Sequence, residues 1–363
     1  MNFIKPLLLL SNNIFLILLG LFGIGLIIGF HELGHFLFGK LFKIHTPAFS
    51  IGFGPKIYKK KIGETEFSIA AIPLGGYVES DKKSFESKPY YQKMMVIGGG
   101  IAFNLLFAYI TFILLFMFGI PKNRLLYPIN TIPVIESINK DKEIQGLNIE
   151  NGDRIITIDN TKIANNTKII FEKLKNLKNR KIILEVERDG KQIEITASSK
   201  ILIQALGQLK IMFKLVDKPG TSLFPAIKNG INLTNAYILN TLYMFKHMFT
   251  KRDVSGVGGP IMIISATMKS ASQGIKVFFL LLAIISISLA IINLVPLPIL
   301  DGGQALLYTI EAIFRKPLSE KTKEFILIAS WILMMVLLLL ISARDVWRLI
   351  KPNTQQKTEI GKK

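Results

Sequence analysis

Four stretches of this chain are too long and too apolar for an ordinary soluble core: residues 7–30 running on into 31–35, 94–120, 277–300 and 325–342. A helix of about 18–20 residues crosses a hydrocarbon layer about 30 Å thick. Inside lipid every backbone N–H and C=O must find its partner within the protein, which leaves helices or closed barrels. The chain therefore reads as a polytopic α-helical membrane protein with four transmembrane helices. Half of the 363 residues are hydrophobic, which still leaves room for wetter segments between the spans. Lys5 precedes the first run, but no small-x-small cleavage pattern follows, and the run exceeds the apolar part of a signal peptide. It is expected to remain as a span.

The segments between the spans divide the chain further. Residues 1–120 hold two spans and, between them, a glycine-rich loop. In that loop "KIYKKKIG" and "TEFSIAAIPLGGYV" read as two strands around a Gly-Glu turn, a membrane-associated β-hairpin. Residues 121–216 are the one plainly soluble stretch. They contain "IENGDRIITIDNTKI", a helical "TKIIFEKLKNLKN" and the strand pair "RKIILEVERDGKQIEITAS", closed by an Asp-Gly hairpin signal. A small α+β domain follows. Residues 217–273 form an amphipathic linker suited to a membrane surface, 274–350 hold spans three and four, and the polar tail 351–363 is expected to be disordered.

The net charge is +20, yet the lysines are scattered and interleaved with acids. That pattern fits loop solubility and attraction to anionic membrane lipid, and no nucleic-acid partner is expected. Ten Lys/Arg against five acids in residues 39–93 lean that loop toward the cytoplasm, whereas the 301–324 loop on the same side is balanced at four each. The chain has no cysteine, so disulfides and thiolate metal sites are excluded. A metal here needs His, Asp or Glu.

Two of the four histidines sit inside the first apolar run, in "IIGFHELGHFLF". Ionisable groups at that depth cost several kcal/mol and usually mark function. On a helix His31 and His35, four residues apart, lie on one face and can point at a single ion. Glu32 stands beside them. This is the H-E-x-x-H pattern, in which two neutral imidazoles hold Zn²⁺ and a carboxylate accepts a proton from the attacking water. On five residues alone, an accidental or purely structural pattern competes with that reading. His45 lies ten residues past His35, so the long three-histidine motif is not met and a third ligand must come from elsewhere.

The third apolar run supplies a candidate in "NLVPLPILDGGQALL". Pro296 and Pro298 break backbone hydrogen bonds, and a broken helix at membrane depth is tolerated where it lines a cavity. Gly302 and Gly303 permit a tight turn that aims Asp301 inward. The competing reading is a span that ends in a turn with a solvated aspartate. Set beside H-E-x-x-H in another span, the zinc reading prevails: two histidines, one aspartate and an open position form a catalytic set.

With "HELGHF", "PLGGYV", "KPYYQKMMVIGGGIAFNLLFAY" and "NLVPLPILDGGQALL" in one chain, the sequence resembles the site-2 protease family of intramembrane zinc metalloproteases over residues 14–345. The nearest likeness is to its bacterial branch, the regulator of sigma-E protease. "GLNIENGDRIITIDN" is similar to the PDZ domains of that branch. The resemblance implies His31, His35 and Asp301 as zinc ligands and Glu32 as general base. It implies that Asn293 holds substrate backbone and that the edge 72–78, with Gly75 and Gly76, pairs with an extended substrate. Pro296 and Pro298 belong to the same substrate-facing segment. On the residues alone, Gly75 and Gly76 also suit an ordinary turn, and Asn293 suits helix–helix hydrogen bonding.

The implied activity is hydrolysis of peptide bonds within or near the span of single-pass membrane proteins. Regulated intramembrane proteolysis of an anti-sigma factor and clearance of signal-peptide remnants both fit. The implied place is a bacterial inner membrane, with the active site toward the cytoplasm and the PDZ domain outside. A competing class is a non-catalytic PDZ-bearing scaffold with a structural zinc, although a structural zinc has no use for Glu32.

Several residues depart from the family pattern. "GGGIAFN" (98–104) stands where Gly-Pro usually precedes an asparagine, which reduces Asn104 to helix packing. "DVSGVGGPIMI" (253–263) is a loosened Ser-Gly-Pro-Val-Gly segment, and Gln304 replaces a frequent histidine. Only one PDZ domain fits. Its "KDKEIQGL" (140–147) replaces the usual carboxylate-binding loop, which leaves peptide capture, size filtering and partner docking open.

Overall fold

The computed structural model describes residues 4–139, 144, 147–165, 167–175, 177, 179–251 and 258–350. The tail 351–363, most of the 140–147 loop and the start of the 253–263 segment lie outside the described residues. Two compact units form, Met1–Phe116 with Ser222–Lys363, and Met117–Thr221.

The first unit opens with helix α1 (Ile4–Leu41). Two long strands follow, β1 (Ala48–Ile62) and β2 (Thr65–Glu79), around the expected turn at Gly63 and Glu64. Their pairing is more elaborate than a hairpin. Ala48 is partnered by both Glu66 and Glu79, and Ser50 by both Ser68 and Tyr77, so the start of β1 is the centre of a curled sheet. The chain turns back on itself at Gly52 and Gly54, whose φ values of +91° and +89° no ordinary side chain adopts cheaply. Helix α2 (Lys82–Glu86) is capped by the Asp81 carboxylate, which accepts from the Ser84 N–H. Helix α3 (Tyr90–Phe118) completes this half of the unit.

The second unit has strands β3 (Thr131–Ile138), β4 (Arg154–Ile158) and β5 (Thr161–Lys162), helix α4 (Lys168–Lys175), then β6 (Lys181–Arg188), β7 (Lys191–Ser198), helix α5 (Ser199–Gly207) and β8 (Ile211–Leu215). The sheet order is β7-β6-β4-β3-β8, antiparallel throughout, with β5 beside β4. The Asp-Gly hairpin forms between β6 and β7, with Asp189 and Gly190 both at positive φ. Its core gathers Ile135, Ile155, Ile158, Leu184, Val186 and Phe213, all 2 % exposed or less. Asp153, fully buried, is gripped through both oxygens by Arg188, a bidentate pair that satisfies the buried charge. Helix α5 and strand β8 were not anticipated; α5 buries Leu202, Ala205 and Leu206, an apolar face too short to stand out by period.

Returning to the first unit, the chain forms α6 (Leu223–Lys251), α7 (Pro260–Ser272), α8 (Ile275–Ile292), α9 (Asp301–Phe314) and α10 (Glu320–Ile350). The stretch read as an amphipathic linker thus contains two helices, and the Phe112 ring of α3 stacks on Tyr237 of α6 at 5.3 Å. Among the described residues four helical segments are long and apolar enough to cross a membrane: Ile14–Leu41, Tyr90–Phe118, Ile275–Ile292 and Glu320–Trp347. The third is shorter than the expected run 277–300. Its helix stops at Ile292, because Pro296 and Pro298 cannot extend the ladder.

Helices α1, α3 and α8 meet around Ile27, Phe107, Phe278 and Leu282. Close approach of α1 to α3 depends on two glycines. A methyl group on Gly34 would collide with the Gly99 carbonyl, and one on Gly99 would lie 2.7 Å from the Gly34 oxygen. The "GGG" that departs from the family pattern therefore brings α3 against the helix that carries His31 and His35.

Candidate metal centre

The spacing of His31 and His35 on α1 does what helical geometry requires, and both imidazoles turn their Nε2 atoms to one point, 3.2 Å apart. Asp301 reaches the same point from the first turn of α9. Its Oδ2 lies 3.3 Å from His31 Nε2 and its Oδ1 lies 3.5 Å from His35 Nε2. One ligand atom from each of the three residues falls within 4.8 Å of the others.

These separations fit a shared ion. Ligands about 2.0–2.1 Å from a tetrahedral zinc are about 3.3–3.4 Å from each other. Asp301 Oδ2 is also buried with no hydrogen-bond partner, despite lying 3.3 Å from an imidazole nitrogen. It sits with both Nε2 atoms around one small space. A buried acceptor without a donor is costly, and a cation at that point removes the cost.

The segment between α8 and α9 explains how Asp301 arrives there. Asn293 closes α8, the chain folds through two prolines, and the Gly302 N–H returns to the Asn293 carbonyl at 2.6 Å. Gly302 and Gly303 have ordinary φ values. What they provide is room, since added methyl groups would strike the Leu294 and Leu297 carbonyls. Asn293 is 7 % exposed, with Nδ2 3.5 Å from His31 Nε2.

Glu32 stands outside the three-residue cluster, facing the same cavity. Its carboxylate accepts from the Val78 backbone N–H, so β2 and the glutamate are fastened together. Gly76 sits close behind this contact, since a Cβ there would lie 2.9 Å from the Ser50 carbonyl oxygen and 3.0 Å from Glu32 Cγ. Gly75 is one residue back at φ +126°, against the Phe53 ring. Gly76, Val78, Asn293 and Leu300 line the cavity, whose volume is about 930 Å³. Gly75, Pro296 and Pro298 are not among the residues that line it.

The histidines have partners behind them. His35 Nδ1 is 2.9 Å from the Val96 carbonyl, and His31 Nδ1 is 3.0 Å from Asn104 Nδ2, both on α3. Sequence reasoning gave Asn104 only helix packing. The available signal was a lone asparagine in an apolar span, which packing and ligand support share.

Lys82, Glu86, Tyr308, Glu320 and Lys323 also line the cavity and belong to a charged cluster. Glu86 accepts from Lys93 Nζ at 2.7 Å and from the Tyr308 hydroxyl at 2.9 Å, and Lys323 lies 3.8 Å away. Lys323 also pairs with Glu311 at 2.8 Å, and Lys82 pairs with Glu320. Burial alone would raise the Glu86 carboxyl, but the Lys93 and Tyr308 hydrogen bonds outweigh it and hold it below the ordinary glutamate range. Burial and the Glu86 acceptor push the Tyr308 phenol well above its usual range, so it stays a donor.

The chain is similar to known proteins over most of its length. The sequence profile described as peptidase family M50 matches residues 19–337. A Clostridium perfringens protein is 31 % identical over 327 residues, covering 87 % of this chain and 94 % of its own. A Fusobacterium nucleatum protein is 32 % identical over 340 residues, covering 90 % and 97 %. A Campylobacter jejuni protein is 27 % identical over 359 residues, covering 90 % and 92 %. All three carry the name "putative zinc metalloprotease".

Proposed function

The chain belongs to peptidase family M50 and is a zinc metalloprotease, and from that premise we propose that it cleaves single-pass membrane proteins within or near their spans. The observation that carries this reading is the convergence of His31, His35 and Asp301 beside Glu32, in a cavity of the unit that holds the four span-length helices. In the proposed site His31, His35 and Asp301 would hold zinc. When bound it supplies Lewis acidity, which acidifies a water and polarises the scissile carbonyl. Glu32 takes the proton from the attacking water and returns it to the leaving amine nitrogen.

Asn293 donates to the substrate backbone beside the ligands. A spanning helix must unwind to be cut, and its freed N–H and C=O groups need partners at that depth. The 76–78 edge of β2, next to Glu32, supplies them by strand addition. The Met117–Thr221 unit is assigned as a PDZ domain that filters substrates by size or docks a partner. Residence in a bacterial inner membrane, with the catalytic face toward the cytoplasm and the PDZ domain outside, completes the reading. Release of an anti-sigma factor and clearance of signal-peptide remnants both suit such a site.

The test is Glu32→Gln beside wild type on a generic single-span substrate. Zinc content should be unchanged while cleavage falls by about 10²–10⁴-fold, the usual share of a general base. Cleavage at the wild-type rate would remove Glu32 from the mechanism.

A further inference from the structure

Asn104 is fully buried in the middle of α3, and its backbone carbonyl accepts from Ser286 Oγ of α8 at 2.8 Å. Its side chain is the odd part. Nδ2 faces His31 Nδ1 at 3.0 Å, while Oδ1 is buried without a partner. A leucine would pack this helix crossing without stranding a polar atom, so packing alone does not account for the residue.

The two histidines can be compared directly. His35 Nδ1 faces a backbone carbonyl, which can only accept, so that nitrogen carries the proton and Nε2 keeps a free lone pair. His31 turns its Nε2 to the same point and needs the same tautomer to act as a ligand. Its Nδ1 must then donate, and an amide NH₂ cannot receive it. The amide oxygen and nitrogen are nearly isosteric, and their placement follows from hydrogen-bond logic. Turning the amide over places Oδ1 where it accepts from Nδ1–H, and no existing bond of Oδ1 is lost.

We infer that Asn104 is a positioning residue that presents Oδ1 to His31 Nδ1–H, fixing the tautomer and ring orientation of one metal ligand from the neighbouring helix. Metal-bound histidines usually have such a partner, and removing it costs about 10–100-fold in metal affinity. The inference rests on the proposed ligand set.

The test reads zinc binding alone. Purified full-length protein in detergent is stripped, then titrated with zinc against a chromogenic chelator. Asn104→Leu should bind zinc about 10–100-fold more weakly, and Asn104→Asp, which keeps an acceptor oxygen at the same place, should recover most of the loss. The metal-free variants should match wild type in helical content and melting. Wild-type affinity in Asn104→Leu, or equal losses in the Leu and Asp variants, would overturn the inference. Should Asn104→Leu fail to fold, ¹⁵N spectra of histidine-labelled, zinc-loaded wild type decide. A protonated Nδ1 on His31 supports the inference and a metal-bound Nδ1 overturns it. Asp301→Ala serves as the reference. If it keeps full zinc affinity, the ligand set itself fails and the inference falls with it; if it loses zinc while Asn104→Leu does not, only the inference falls.

Discussion

The cavity has two walls built on opposite rules. On one side His31, His35 and Asp301 crowd their acceptor atoms together, and Asp301 Oδ2 has no donor at all. Elsewhere in the cavity lining Glu86, Tyr308 and Lys323 are satisfied by one another and by Lys93 and Glu311 behind them, with Lys93 Nζ lying 4.8 Å over the Tyr308 ring as well. Buried polar groups in folded proteins are normally paired, so the knot is what stability asks for. The His31, His35 and Asp301 side departs from that norm at Asp301 Oδ2, and under the proposed reading the departure is what a cation requires.

The largest effect should come from the open wall. Asp301→Ala removes an anionic ligand outright and should weaken zinc by more than the ~100-fold upper end for outer-shell changes, as read by metal stoichiometry and chelator competition. Melting of the metal-free protein should hardly move, because Asp301 Oδ2 makes no hydrogen bond that folding would lose. Parallel losses of zinc and of metal-free stability would erase the distinction between the walls.

An intermediate effect is expected from Glu86→Gln, with the opposite signature. Zinc affinity should hold while stability becomes less sensitive to acid. The folded pKa of Glu86 lies below its unfolded value. Its contribution is therefore fully present above the unfolded pKa, about 4.3, and lost as pH falls through the folded one. Wild type should lose more melting temperature than the variant between about pH 7 and about pH 3.5. Equal losses would mean that the carboxylate contributes nothing as a charge.

The smallest effect belongs to Lys82→Ala. Lys82 and Glu320 are 71 % and 70 % exposed, and exposed pairs of this kind rarely register in stability. No measurable change in melting is expected. A clear drop would show that the outer pair is part of the knot.

How much of this was legible in the sequence follows the range of the interactions. His31, Glu32 and His35 are set by a four-residue helical interval, which a sequence displays directly. The turn at Gly63–Glu64 and the Asp189–Gly190 hairpin are equally local. Asp301 was readable only through its punctuation, the prolines before it and the glycines after it. The start of α9 reads as loop because the same glycines look like a turn; they are tight contacts in its first turn. The double pairing of β1 and the Asn104–His31 contact join residues far apart in the chain. Nothing in the local spelling distinguishes a packing asparagine from one that faces a ligand.

The Gly302 N–H bond back to the Asn293 carbonyl has a consequence for how this protein can vary. Under the proposed reading the residue that handles substrate and the residue that holds metal sit at the two ends of one closed loop. A change of length anywhere in residues 294–300 would rotate both at once, so selection cannot retune grip on substrate there without disturbing the ion. Diversification in substrate choice is left to parts outside the loop, such as the β2 edge and the Met117–Thr221 unit. The loop acts as one mechanical unit, in which a change at either end is felt at the other.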